Sequence, residues 1–227
     1  MLTYYHGNET GQNPGAFPEK WWEGAPLMEA LVKYWHFTGD DRYNDELTQG
    51  LSHQGGENGD YLPSNYSRFL GNDDQMFWGL AALTAAELKL PDTKPFSWLS
   101  LGQGVFNTQK ARWDADNCKG GLRWQLFPYQ GGYNMKNTIS NGGFFQVAAR
   151  LYRYTGDKQY LDWANKMWDW LAGSGLLNTN TWNVADSIDV PECGKVGNAQ
   201  WSYNYGTLLS GAAYLYASVS TFASKLI

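Results

Sequence analysis

Tyr34-Trp35-His36-Phe37-Thr38-Gly39-Asp40-Asp41-Arg42-Tyr43 is echoed, 117 residues further on, by Leu151-Tyr152-Arg153-Tyr154-Thr155-Gly156-Asp157-Lys158-Gln159-Tyr160. In each copy an apolar stretch runs into Gly, which enters the left-handed conformation that ends a helix without a Cβ clash. An Asp follows that can cap the next helix. One helix-turn-helix joint is therefore used twice. A third joint falls midway, at 88–97, where Pro91 and Pro95 break the pattern. The repeating unit is a helical hairpin of about 58 residues.

Apolar residues at three-to-four spacing extend this reading along the chain. Trp22, Pro26, Leu27, Ala30, Leu31, Tyr34 and Trp35 form one such set, and Met76, Phe77, Leu80, Leu83, Ala86 and Leu88 another. Phe144, Val147, Ala148, Leu151 and Tyr152 form a third, then Tyr160, Ala164, Met167, Trp168 and Leu171 a fourth. Shorter helices are predicted near 42–52, 97–112 and 203–217. Strand-like alternation is confined to a small predicted hairpin over 122–133, with Gly131-Gly132 at its turn. The tight joints lie on one side of the hairpins. Loops rich in Gly, Asn and aromatics (53–72, 114–140 and 176–202) lie on the other, the arrangement of a helical toroid whose long loops build a binding face. The fold class is all-α, an (α/α)6 barrel of hairpins left incomplete at about seven helices. The expected domains are a partial barrel over 1–216 and a divergent tail over 217–227.

Composition narrows the function. The chain has 227 residues, enough for one sizeable domain, and 16% of them are aromatic, including 12 Trp and 15 Tyr. Trp and Tyr join a wide apolar face to one polar tip. That combination suits sugars, whose C–H faces stack on rings while their hydroxyls take hydrogen bonds. Core packing is the competing reading for each Trp. A net charge of −5 with 17 Lys and Arg argues against nucleic acid as a partner. No apolar run approaches the roughly 20 residues of a membrane span, and Met1 is not followed by a secretory leader. Cys118 and Cys193 both sit in polar, loop-like stretches, which suits disulfides better than buried thiols. Pairing with each other and pairing with cysteines elsewhere are both open. Asn8-Glu9-Thr10 and Asn65-Tyr66-Ser67 read as glycosylation sequons.

The chemistry concentrates in Gly71-Asn72-Asp73-Asp74-Gln75-Met76-Phe77-Trp78, where a long loop enters an apolar helix. Two acids at a helix start have a structural explanation, because they cap orphan N–H groups and complement the dipole. Asn72 can supply that cap, which leaves both acids available for other work. Paired carboxylates are what glycoside hydrolysis uses, one as nucleophile or base and the other as acid. A retaining enzyme holds them about 5–5.5 Å apart, within reach of splayed neighbours. Like charges placed together also drive one pKa up, making an acid and a base from identical residues. His6, His36 and His53 lack paired metal spacing, and no phosphate-cradling loop or nucleophile elbow occurs. No metal and no cofactor are called for.

Several segments resemble glycoside hydrolase family 76, the fungal members most closely. They are Trp21-Trp22, the 34–40 joint, Gly59-Asp60-Tyr61-Leu62-Pro63, Asn72-Asp73-Asp74-Gln75, Asn141-Gly142-Gly143-Phe144-Phe145 and Gln200-Trp201-Ser202-Tyr203-Asn204-Tyr205-Gly206, in the family's order. The resemblance implies an endo-acting hydrolase or transglycosylase of α-1,6-linked mannose that retains configuration, with Asp73 as nucleophile and Asp74 as general acid/base. Trp21, Trp22, Tyr61, Asn65, Trp124, Asn141, Asp186, Trp201 and Tyr205 would face the sugar. The implied partners are α-mannan or mannose-containing glycans, including the core of GPI anchors, and the implied place is the cell wall or cell surface. Family members begin with a leader and further sequence ahead of Met1, and their final hairpins are replaced here by Ser218-Val219-Ser220-Thr221-Phe222-Ala223-Ser224-Lys225-Leu226-Ile227, so the chain reads as truncated at both ends. A non-catalytic glycan-binding fragment is the alternative. A toroid enzyme acting on uronic-acid or amino sugars would want a carboxylate-binding Arg and a His pair. The candidate loops offer Arg68, Arg112 and Arg123 but only His53.

Overall fold

The computed structural model describes residues 2–17 and 20–223. Among them are seven α-helices: α1 (Gly24–Thr38), α2 (Asn44–Gln54), α3 (Asn72–Glu87), α4 (Trp98–Ala111), α5 (Thr138–Thr155), α6 (Lys158–Gly173) and α7 (Ser202–Ala223). The strands β1 (Met135–Asn137) and β2 (Ser187–Asp189) form an antiparallel pair. The mostly helical class expected from the sequence is what the structure holds. α7 continues past the domain boundary expected at 216, and residues 224–227 of the expected tail lie outside the described residues. The chain divides into two compact units. One comprises Met1–Leu70 and Asp74–Thr108, the other Gly71–Asp73 and Gln109–Ile227.

The two echoed joints share one hydrogen-bond pattern, bond for bond. Gly39 and Gly156 sit at φ 74° and 73°, the left-handed region in which a Cβ costs energy. Thr38 Oγ1 donates to Tyr34 O at 2.6 Å, and Thr155 Oγ1 donates to Leu151 O at 2.7 Å. Each threonine then accepts the N–H of the following Asp, at 3.2 Å in both joints. The copies diverge at the cap. Asp157 Oδ1 accepts Gln159 N–H at 2.9 Å and opens α6 directly. Asp40 also accepts the N–H two residues on, yet α2 starts only at Asn44 behind Tyr43, which makes no side-chain cap. Here the Tyr34 hydroxyl donates to Asp40 at 2.5 Å and the Arg42 guanidinium pairs with it at 2.8 Å. These partners, the Tyr34 hydroxyl first, hold the Asp40 carboxyl down at about 2.

In the first unit, α1 buries Ala25, Leu27, Met28, Leu31 and Val32 and packs on α2. Of the stripe predicted from spacing only Leu27 and Leu31 are buried, and the buried face is shifted to take in Met28 and Val32 while Ala30 and Tyr34 are exposed. Trp78 of α3 is fully buried between Trp21, 5.3 Å away by ring centroids, and Tyr61, stacked at 5.6 Å. In the second unit α5 is the centre: every residue from Thr138 to Tyr152 is buried, and α6 and α7 both pack on it. Phe144 and Phe145 meet Trp163 and Trp168 of α6 at 5.9 and 5.4 Å. The hairpin predicted over 122–133 is absent. That segment is loop and turn, and the pairing is instead Met135 to Asp189, Lys136 to Ile188 and Asn137 to Ser187. Pro128 interrupts any ladder in the predicted strand, and a partner some 50 residues away leaves no local alternation to read.

Cys118 and Cys193 form a disulfide that closes a separation of 75 residues within the second unit. Loop-closure entropy for that length corresponds to about 4 kcal/mol. The Cys118→Ser/Cys193→Ser double variant should therefore melt well below the parent protein. Coincident melting curves would show that the crosslink contributes nothing to stability.

Candidate active site

Asp73 and Asp74 are successive residues in the first turn of α3, Asp73 belonging to the second unit and Asp74 to the first. Asp73 is held from the 112–135 loop. Trp124 Nε1 donates to Asp73 Oδ2 at 2.9 Å. Gly71 and Gln125 pair as an isolated antiparallel bridge, and Asn72 N–H donates to Trp124 O at 2.8 Å. A Cβ on Gly71 would collide with Asp73 Oδ1 and lie 3.0 Å from Trp124 O, so only glycine lets the loop pass this close to the carboxylate. Trp124 is itself fixed by its N–H, which donates to Met135 O at 2.7 Å.

Asn72 does other work than the capping read from the sequence. Its Nδ2 donates to Arg123 O at 2.8 Å, and its Oδ1 accepts from Arg112 Nε at 2.9 Å. Gln109 Nε2 donates to the Asn72 carbonyl at 2.7 Å. The side chain is 1% exposed and ties the start of α3 to the loop carrying Trp124.

Behind Trp124 the loop is organised by a buried cation. Lys136 of β1 is fully buried, and its Nζ donates to the carbonyls of Asp114, Asn117 and Gly120 at 3.2, 2.6 and 2.6 Å. The Asp114 carboxylate lies 3.3 Å from it and 3.0 Å from Arg123 Nε. Burial pushes the Asp114 carboxyl up, but the Asn117 amide, the Lys136 ammonium and the Arg123 guanidinium together hold it below its ordinary value. Burial lowers the Lys136 ammonium, and Asp114 offsets part of that.

Also in the second unit, Asp186 Oδ1 accepts from Asn204 Nδ2 at 3.0 Å and from the Tyr203 hydroxyl at 3.4 Å. The Tyr203 phenol is pushed up by burial first, then by the negative charges of Asp186 and Asp73. Tyr203 therefore stands within the electrostatic reach of both carboxylates. Trp201, half exposed, lies parallel to Tyr203 at 5° and 6.3 Å. Tyr205 braces its own loop, accepting from Val184 N–H at 3.1 Å and donating to Gln200 Oε1 at 2.8 Å.

Asp74 lies in the first unit, in the lining of a cavity of about 400 Å³ formed with Lys20, Trp21, Trp22, Tyr66, Phe69 and Leu70. Trp22 packs on Phe77 at 5.0 Å, and Asn65 is exposed in the turn beside Tyr66. Gln75, the next residue, is fully buried and donates to Asp60 O at 2.6 Å and Thr108 Oγ1 at 2.8 Å, which fixes this turn of the helix.

Two expected sugar contacts occupy the interior instead. Tyr61 is fully buried against Trp78, with its hydroxyl donating to Leu51 O at 3.2 Å. Asn141 is fully buried, accepting from Leu122 N–H at 2.7 Å and donating to Leu122 O and Asn137 O. Both stabilise loop backbone, and neither presents surface to a ligand. Trp21 is 6% exposed and donates Nε1 to Gln54 Oε1 at 2.5 Å, so it forms the cavity's fixed wall. Tyr66, which with Asp60, Tyr61 and Asn65 is one of the polar loop groups ahead of Asp73 suited to binding hydroxyls, lines the cavity, as does Phe69, for which the sequence carries no signal. Tyr66 stacks on Trp21 at 6.0 Å. Among the described residues no three His, Cys, Asp or Glu side chains gather as a metal-binding group, and no helix is long and apolar enough to cross a membrane.

The family model described as glycosyl hydrolase family 76 matches residues 1–221. The chain belongs to that family. It is 48% identical over 223 residues to the mannan endo-1,6-alpha-mannosidase DCW1 of Saccharomyces cerevisiae, covering 95% of this chain and 49% of the relative. It is 42% identical over 223 residues to the mannan endo-1,6-alpha-mannosidase DFG5 of the same yeast, of which it covers 48%. The chain thus spans about half the length of the curated relatives it matches. Among solved structures, Dfg5 from Chaetomium thermophilum in complex with glucosamine superposes with a TM-score of 0.90 at 44% identity, over 95% of this chain and 56% of that one. An inactive variant of the alpha-1,6-mannanase GH76A of Salegentibacter sp. HEL1_6 in complex with alpha-1,6-mannotetrose gives a TM-score of 0.73 at 22% identity, over 92% and 60%. That second likeness is one of fold.

Proposed function

We propose that this family 76 chain carries the catalytic pair of a retaining glycosidase acting on α-1,6-linked mannose, with Asp73 as nucleophile and Asp74 as general acid/base. One observation carries the reading. Two successive carboxylates open α3, one fixed by an indole N–H and the other lining an aromatic cavity. In the first step an Asp73 oxygen attacks C1 of the mannose ring. The C1–O bond breaks, and the Asp74 carboxylic acid gives its proton to the departing O6. In the second step a water, or a sugar hydroxyl in transglycosylation, attacks C1 of the ester. Asp74, now a carboxylate, takes the proton, and the C1–Asp73 bond breaks. Trp124 orients the nucleophile by donating to Oδ2.

Trp22, Asn65, Asp186, Trp201 and Tyr205 are proposed to meet the sugar or support the groups that do, and Trp21, Tyr61 and Asn141 to hold those groups in place. The substrate class is supported by the fungal relatives' printed name, mannan endo-1,6-alpha-mannosidase; wall mannan and the mannose core of GPI anchors are the glycans we propose for it. The Cys118–Cys193 disulfide suits a secreted or cell-surface protein, because such bonds persist in oxidising compartments. Retention is tested by following the anomeric proton signals of the first product from a linear α-1,6-mannan oligosaccharide. The α-anomer should appear first, and initial release of the β-anomer would replace the double displacement with a single one.

A further inference from the structure

The loop that delivers Trp124 to Asp73 continues into a second aromatic feature which the catalytic pair does not use. Phe127 and Tyr129 lie parallel, at 4° and 5.4 Å between centroids, and remain 36% and 70% exposed. Large apolar rings are normally withdrawn from water unless something covers them. Here they are held out by built supports. Phe127 N–H donates to Gln130 Oε1 at 2.7 Å, Gln130 Nε2 donates to Gln125 Oε1 at 2.9 Å, and Gln130 N–H returns to Phe127 O at 3.0 Å. Gln125 is the bridge partner of Gly71, two residues from the nucleophile. Tyr133 closes the turn beneath the Arg123 guanidinium, which lies 4.4 Å from its ring.

We propose that the Phe127–Tyr129 stack is a remote sugar subsite, taking the C–H face of a hexopyranose that belongs to the same α-mannan chain whose scissile bond meets Asp73. This rests on the proposed function and extends it to substrate length. The occupant is argued from continuity and chemistry. Tyr129 lies five positions after Trp124, a reach of at most about 18 Å along the chain, so a substrate lying past Trp124 arrives at the stack within a few sugar units. A ring already stacked on its neighbour offers a pyranose an apolar face at little conformational cost. A protein helix or a lipid surface would demand a broader apolar patch than two rings flanked by glutamines.

The test is calorimetric binding of linear α-1,6-mannan oligosaccharides of two to six units to the protein and to its Tyr129→Ala and Tyr129→Phe variants. Affinity should rise with length for the protein. The gain at the long end should fall about tenfold in Tyr129→Ala, as expected for one lost ring contact, and largely survive in Tyr129→Phe. Equal affinities of Tyr129→Ala and the protein at every length would overturn the subsite alone. No binding of any oligosaccharide by the protein itself would overturn the functional reading and the subsite with it.

Discussion

Asp73→Asn is expected to lower turnover of a linear α-1,6-mannan oligosaccharide by on the order of 10⁶-fold, the scale seen when a nucleophile is removed from an otherwise intact site. Asparagine keeps the side chain's shape, and its Oδ1 can still accept the Trp124 indole N–H, so the change removes charge and nucleophilicity without removing the contact that positions the group. Far-ultraviolet circular dichroism should match the parent protein. Asp74→Asn should behave differently, because its loss concerns a proton. Turnover of the mannan should fall by about 10²–10⁴-fold. A substrate whose leaving group needs no protonation should recover much of the glycosylation step, and added azide should trap the glycosyl-enzyme as a glycosyl azide. Azide rescue in Asp73→Asn with configuration retained would exchange the two assignments.

The second large effect lies away from the sugar. Lys136→Met should destabilise the protein by about 3–5 kcal/mol, the cost of breaking a buried ion pair by removing one partner. Methionine fills similar space but donates nothing. The carbonyls of Asp114, Asn117 and Gly120 would then lose their shared donor, and the Asp114 carboxylate one of its two cations. For a chain of this length that corresponds to a fall in melting midpoint on the order of 10 °C. An unchanged midpoint would mean that water reaches those carbonyls. Asp114 adds a pH signature with a fixed sign. Its carboxyl is held below its ordinary value in the folded protein, so its contribution is complete above that ordinary value and is lost as the pH falls through the folded one. Acid sensitivity should therefore be blunted in Asp114→Asn.

The sequence made the helices legible because their signals are local. Apolar spacing marks most of the buried stripe of α6, where Tyr160, Ala164, Met167 and Leu171 are buried as expected, and Gly39 and Gly156 mark two helix ends to the residue. The Asp73–Asp74 pair was visible for the same reason, as an excess of acid at a helix start. What stayed hidden depends on residues far apart in the chain. Lys136 reads as a surface residue until three loop carbonyls converge on it from 16 to 22 positions away. Tyr61 and Asn141 sit in glycine-rich polar loops, as ligand-binding residues do, but their partners turn them inward: Trp78 for the one, the backbone of Leu122 for the other. Asn72 looks like a cap and serves as a clamp, because Arg112 and Arg123 reach it only once the loop has folded back.

The central claim is that the carboxylates opening α3 cleave α-1,6-mannan. Its most direct test is to incubate the purified chain with linear α-1,6-mannotetraose, beside the Asp73→Asn protein, and to weigh the products by mass spectrometry. The account predicts shorter or transferred oligosaccharides from the parent chain alone. Equal products from both proteins, or tetraose left intact by a folded parent chain that binds it, would contradict it.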